Sequence, residues 1–167
     1  MEAAVMGSPG AQMREAALES LRVHARQMAP VAAMQVRVAG YDGDDLSLEA
    51  PLEPNMNDKG GAFGGSMASV MTFAGWGLVT LRLHEAGMVA DVFVADSAVR
   101  YLKPLYAPLH ASARLSPGQS WDTFLAALSQ RGRARIQVRA RMLSPAEGPG
   151  SELMADLAGR YVAILKG

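Results

Sequence analysis

The stretch Asn57-Asp58-Lys59-Gly60-Gly61-Ala62-Phe63-Gly64-Gly65-Ser66 leads into the longest helical candidate of the chain, residues 63–86. Its reading decides the fold. Gly64 and Gly65 lack a Cβ, so a carbonyl can approach their backbone N–H groups, and the helix dipole favours the negative charge of a developing oxyanion there. Paired glycines also let a helix enter a crowded sheet, so both readings stay open on these residues alone. Beyond them, Val70, Met71, Phe73, Ala74, Trp76, Leu78 and Val79 surround the helical wheel instead of marking one stripe. Such a helix is buried on more than one side. Gly75 and Gly77 weaken a helix intrinsically, and close packing against another element is the expected reason for them.

Upstream, Met13, Ala17, Leu21, Val23 and Met28 predict an amphipathic helix over 12–28, which Pro30 ends. Met34, Val36 and Val38, then Leu46, Leu48 and Ala50, alternate with polar residues as half-buried strands do, with a turn at 40–45 and a Pro/Asn/Gly-rich loop at 51–61. Residues 1–12, with Gly7-Ser8-Pro9-Gly10, read as a flexible lead-in, and 13–167 as a single domain. Downstream of Gly87, the ranges 91–102, 109–115, 121–130, 134–142 and 153–165 all read as strands, with Gly132 marking a hairpin and 144–151 a loop. Helix, two strands, central helix and consecutive antiparallel strands give an α+β fold with a sheet wrapped about a helix.

Composition narrows the function. The chain has 167 residues, half of them hydrophobic, which suits one globular domain. Sixteen basic residues balance sixteen acidic ones, so no net field favours nucleic acid or an anionic membrane. There is no cysteine, hence no disulfide, thiolate nucleophile or cysteine zinc site, and a cytoplasmic location is expected. No secretory pattern opens the chain, and the longest apolar stretch, 68–81, is too short for a bilayer helix of about 20 residues. His24, His84 and His110 fall on separate elements without ligand spacing, so no metal site is expected.

Two segments carry a family resemblance: 57–66 and Asp96-Ser97-Ala98-Val99-Arg100-Tyr101-Leu102-Lys103-Pro104. They resemble hotdog-fold thioesterases, which often read Asn-x-x-Gly-x-x-His-Gly-Gly before the central helix and an Asp-containing strand ending in Tyr-x-x-Pro after it. Phe63 takes the histidine position. The likeness is to the YiiD C-terminal type of thioesterase and follows the element order from Met34 to Leu165. It implies a hotdog domain with an additional N-terminal helix, pairing into a dimer or a dimer of dimers, whose site for a small-molecule acyl thioester lies at the protomer interface. Coenzyme A is implied as part of the substrate and not as a cofactor.

The resemblance places Asn57 at an active-site asparagine that orients water or the thioester carbonyl, although an asparagine here also suits a turn. Many relatives carry a carboxylate seven residues beyond the second glycine, and that position is Thr72, whose hydroxyl is too weakly acidic to replace one unaided. Two acids remain for activating water. Asp58 is adjacent to Asn57, and Asp96, amid Val92, Phe93, Val94, Ala95 and Val99, must either be paired or do chemical work, since isolated burial is expensive, and is the preferred one. Ser66, Thr72 and Ser97 are candidates for holding a water, Phe63 for contacting substrate, and Arg100 and Lys103 for phosphates. Arg133, Arg135, Arg139 and Arg141 alternate with apolar residues and give one strand a basic face that suits either coenzyme A phosphates or solvent. Thr72 also permits a rival reading, a hotdog module that binds an acyl thioester without cleaving it.

Overall fold

In a computed structural model the described residues are 7–145 and 150–167. The elements in order are α1 (Pro9–Gln27), α2 (Ala29–Ala33), β1 (Arg37–Tyr41), β2 (Leu46–Ala50), a single 3₁₀ turn (Glu53–Asn55), α3 (Gly64–Glu85), β3 (Ala90–Tyr101), β4 (Leu109–Leu115), α4 (Trp121–Arg131), β5 (Arg133–Pro145) and β6 (Ser151–Leu165). The strands form one antiparallel sheet in the order β1-β2-β4-β5-β6-β3. Its inner face packs on α3, and α1 covers α3 from the other side through Ala17, Leu18, Leu21 and Ala25. This is the expected hotdog arrangement.

The long helix is buried on more than one side, as its sequence predicts, with the face of Gly65, Ser69, Thr72 and Trp76 left partly open, and its glycines have the expected cause. A β-carbon at Gly75 would stand 2.7 Å from Cζ of Tyr161 and closer still to its hydroxyl. The Tyr161 ring is fully buried, and its hydroxyl donates to the carbonyl of Thr72 at 2.9 Å. Burial raises that hydroxyl's pKa well above the ordinary tyrosine value. At Gly77 a β-carbon would meet Leu46 at 2.9 Å and Leu21 at 3.3 Å, so the second glycine lets α1, α3 and β2 converge.

Three expectations need correction. Residues 9–12 belong to α1 and not to a lead-in. Ser8 caps α1 by accepting from the N–H of Ala11 at 3.3 Å, and Pro9 occupies the first turn, where its missing N–H costs nothing. The first six residues lie outside those described. Residues 121–130 form a helix, not a strand. Trp121, Phe124 and Leu128 recur at helical spacing on its buried face, and Ser120 caps it by accepting from Thr123 N–H at 3.2 Å. Gly132 is accordingly the left-handed cap of α4 (φ 70°), its N–H donating to Leu128 O at 2.8 Å, and not a hairpin turn.

The third correction concerns β3. Its pairing with β6 slips between Val94 and Asp96, a bulge that leaves Ala95 unpaired. Val94 lies opposite Tyr161 and faces α3. Past the bulge the alternation changes phase, so Asp96 pairs with Arg160 and Ser97 with Gly159. Ser97, Val99 and Tyr101 therefore share the inner face, and Asp96 lies on the outer one.

Candidate active site

The loop entering α3 is built around two asparagines. Asn55 is buried, donating from Nδ2 to Met34 O at 2.9 Å and Pro51 O at 2.8 Å, while its own carbonyl accepts from Phe63 N–H at 2.7 Å. Asn57 closes the next turn. Its Oδ1 accepts from Lys59 N–H at 2.8 Å and Gly61 N–H at 3.1 Å, and its own N–H donates to Gly61 O at 2.7 Å. The Asn57 side-chain carbonyl is thus engaged within the loop, leaving Nδ2, 3.5 Å from Ala62 O, as the part able to turn toward a ligand. Ala62 N–H donates to Leu105 O at 2.7 Å, anchoring the loop to the chain beyond β3.

This frame delivers Phe63 in extended conformation (φ −64°, ψ 130°) as the cap of α3, without a side-chain cap bond. The first intrahelical bond runs from Met67 N–H to Phe63 O, so the N–H groups of Gly64, Gly65 and Ser66 have no protein acceptor among the described residues. Tyr101 fixes the turn from the sheet side by donating its hydroxyl to Gly64 O at 2.9 Å. The exposed Phe63 ring lies over Gly65, where a β-carbon would come within 2.9 Å of its Cζ. Two amides at the positive end of a 22-residue helix are therefore open to an oxygen acceptor.

Gly65, Ser69, Thr72 and Trp76 recur along one face of α3. From Ser69 onward that face lines a cleft of about 370 Å³, closed by Val92 and Val94 of β3 and by Val31 and Met34 from the α2 region. Ser69 lies about 6 Å along the helix axis from Gly65, so the cleft begins one turn beyond the open amides. Its walls are apolar. Phe73 and Trp76 stack at 5.5 Å, and the Trp76 indole N–H donates to Val92 O at 2.9 Å, joining helix to edge strand. Thr72 Oγ1 donates to Ala68 O at 2.8 Å, which leaves its lone pairs toward the cleft.

The acids are placed differently. Asp58 is exposed in the entry loop and pairs with Lys59 at 2.9 Å. Asp96 is not a buried carboxylate: it is exposed on the outer sheet face and hydrogen-bonds Arg160, with the sheet between it and α3. The bulge is the reason, because without it Val92, Val94 and residue 96 would share one face. Asp96→Asn is accordingly expected to leave turnover within about twofold, since the lost partner is a surface ion pair. A fall of about a hundredfold, the scale of a lost general base, would return Asp96 to the chemistry. Of the phosphate candidates, Arg100 pairs bidentately with Asp156 on the outer face and Lys103 pairs with Glu152. Asn55, which carries the loop, reads in the sequence only as a turn residue, and nothing in its local context distinguishes it from Asn57.

Fold and site together define a hotdog protein with an open glycine amide pair at the head of its central helix and an apolar cleft beside it. Residues 18–165 match the family described as "Putative thioesterase (yiiD_Cterm)", and the chain belongs to that family. A crystal structure of a protein from Shewanella oneidensis described as a "putative thioesterase" is similar at 28% identity, covering 90% of this chain and 99% of that one, with a TM-score of 0.76. A protein of unknown function from Chlorobaculum tepidum TLS is similar at 27% identity, over 94% of this chain and 97% of that one, with a TM-score of 0.82. A thioesterase from Haemophilus influenzae, at 17% identity, a TM-score of 0.65 and coverage of 89% and 90%, shares the fold. The family supports thioester hydrolysis as the general activity. No helix among the described residues is long and apolar enough to cross a membrane.

Proposed function

We propose that the protein hydrolyses acyl-coenzyme A thioesters in the cytoplasm, with the acyl group in the cleft along α3 and the thioester carbonyl at the head of the helix. One observation carries this reading: the unpartnered N–H groups of Gly64 and Gly65 stand at the head of the helix, one turn before the apolar cleft that its Ser69, Thr72 and Trp76 line. In the reaction, water attacks the carbonyl carbon, the tetrahedral oxyanion is held by the two amides, and collapse expels the coenzyme A thiolate, which takes up a proton. Asn57 positions the loop and presents Nδ2. Thr72 and Ser97, both on the inner side but about 10 Å beyond the helix head, reach the water in this proposal from the neighbouring chain of a dimer, and Asp58 is the acid of the entry loop that remains to activate it. Phe63 and Ser66 flank the carbonyl.

The working unit in this proposal is a dimer. β3 is an edge strand with Phe93, Val94 and Tyr101 exposed and Leu102 just beyond it. An edge strand of twelve residues with exposed Phe93, Val94 and Tyr101 invites pairing with a second copy, and pairing there would close the cleft and add polar groups from the neighbouring chain. A second reading is favoured by one fact: among the described residues no carboxylate lines the cleft. The protein would then bind acyl thioesters without cleaving them.

The test is a panel of acyl-coenzyme A thioesters, short, long and aromatic, with thiol release and binding followed in parallel. Saturable release is expected, with substrates limited to acyl groups that a cleft of about 370 Å³ can hold. Binding without release would establish the second reading, and neither binding nor release would overturn both.

A further inference from the structure

The outer sheet face carries a charge pattern that the thioester site does not use. On β5, Arg133, Arg135, Gln137, Arg139 and Arg141 are all exposed and alternate with buried apolar residues. Arg139 lies directly opposite Arg114 of β4, and Arg141 directly opposite Asp156 of β6. Like charges facing each other across an antiparallel pair destabilise the sheet. The carboxylates nearby are already committed: Asp45 takes Arg114 through two bonds of 2.8 Å, and Asp156 takes Arg100 bidentately. Arg139 and Arg141 have no ion pair among the described residues. Their charges still act locally, since the Asp156 carboxyl is held below the ordinary range first by its hydrogen bond to Arg100 and further by the charges of Arg100, Arg139 and Arg141.

These arginines rim a cavity of about 720 Å³. Its floor is lowered by small residues, Ala98 and Ala158, paired across β3 and β6. The size is that of a small-molecule site, not of a protein-docking face. Guanidinium forks suit phosphate oxygens, and successive outward residues of a strand lie about 6.8 Å apart, which spaces two phosphate-binding groups on a rigid backbone. An apolar floor beneath a cationic rim suits a ligand with an organic body as well as phosphates.

We infer that the cavity rimmed by Arg100, Arg114, Arg139 and Arg141 on the outer sheet face is a binding site for a small polyphosphate ligand of nucleotide type. Two sources share this chemistry: a free nucleotide, and the nucleotide end of coenzyme A. The second source rests on the proposed thioesterase activity, and the binding site itself does not.

The experiment is calorimetric titration of the full chain with adenosine 3′,5′-bisphosphate and with inorganic pyrophosphate, at constant ionic strength. The expected result is saturable binding of one ligand per chain, weakened at least about tenfold by Arg139→Gln/Arg141→Gln, with circular dichroism confirming the fold. Arg133→Gln/Arg135→Gln, on the same strand but outside this cavity, is expected to change affinity by less than about twofold, as screened distant charges do. Absence of saturable binding, or equal weakening by both variant pairs, would overturn the site. Kinetics then separate the sources. A raised KM for acyl-coenzyme A at unchanged kcat in Arg139→Gln/Arg141→Gln supports the inference with coenzyme A as ligand. Unchanged KM together with lost bisphosphate affinity supports it with a free nucleotide. Because binding is read directly, an inactive protein leaves the result intact.

Discussion

Gly64→Pro is expected to lower thioester turnover by about 10²–10³-fold while leaving folding nearly untouched, the scale seen when one oxyanion donor is removed. The first position of a helix is where proline fits best, since the N–H it lacks has no intrahelical partner. Phe63, the preceding residue, already has the extended backbone that a following proline requires (φ −64°, ψ 130°). A β-carbon at this position would stand 3.4 Å from the nearest atom of the Tyr101 ring, an ordinary contact. The substitution therefore replaces one amide hydrogen by the ring's Cδ at a position where the helix needs no N–H, and the Gly64 carbonyl still accepts from Tyr101. Gly64→Ala keeps the N–H and separates the two effects: it is expected to retain activity to within about tenfold. If Gly64→Pro turned over like wild type, the helix head would not be the oxyanion site.

The second large effect is on stability. Gly75→Val is expected to destabilise the fold by about 3 kcal/mol, the upper range for overpacking a filled core. That corresponds to a fall in Tm of about 6–12 °C for a domain of this size. Intrinsic propensity argues the opposite sign, because glycine is the poorer helix former by a few tenths of a kcal/mol or more. The steric argument is far stronger here. Even the first added carbon stands 2.7 Å from Tyr161 Cζ, and the tyrosine is fully buried with its hydroxyl engaged by Thr72 O, so its ring cannot swing aside freely. Thermal unfolding of Gly75→Val in a Tyr161→Leu background provides the check. Removing the ring removes the clash, so the two substitutions should be strongly non-additive. An additive result would place the cost of valine somewhere other than against Tyr161.

Part of the site is legible in the sequence because the signal there is local. Glycines at 64 and 65, a loop of asparagine and glycine ahead of them, and an apolar helix with no polar stripe all depend on residues close together in the chain. Backbone freedom and helix periodicity act over a few residues, so the head of α3 and its open amides can be read directly. The strands 109–115 and 153–165 are legible for the same reason, through alternation. Residues 121–130 mislead because the same apolar positions can be scored as a broken strand; what settles them is Ser120 capping the start and Leu128 reaching the core, one a local bond and the other a tertiary contact.

By itself the sequence determined the α+β class, the buried central helix and the paired glycines at its head, because each follows from short-range backbone preference and hydrophobic period, while the hotdog family rests on the resemblance of residues 57–66 and 96–104. The tertiary structure alone decided which way β3 presents Asp96 and Ser97. A single unpaired residue at 95 reverses the face of everything after it, and whether a strand bulges depends on how it registers with β6 and how Tyr161 packs against Gly75. It also decided that Asn55, and not Asn57, is the buried anchor of the loop, and that Arg114 and Arg139 face each other. Those are matters of register between segments far apart in the chain, where neither propensity nor periodicity carries information.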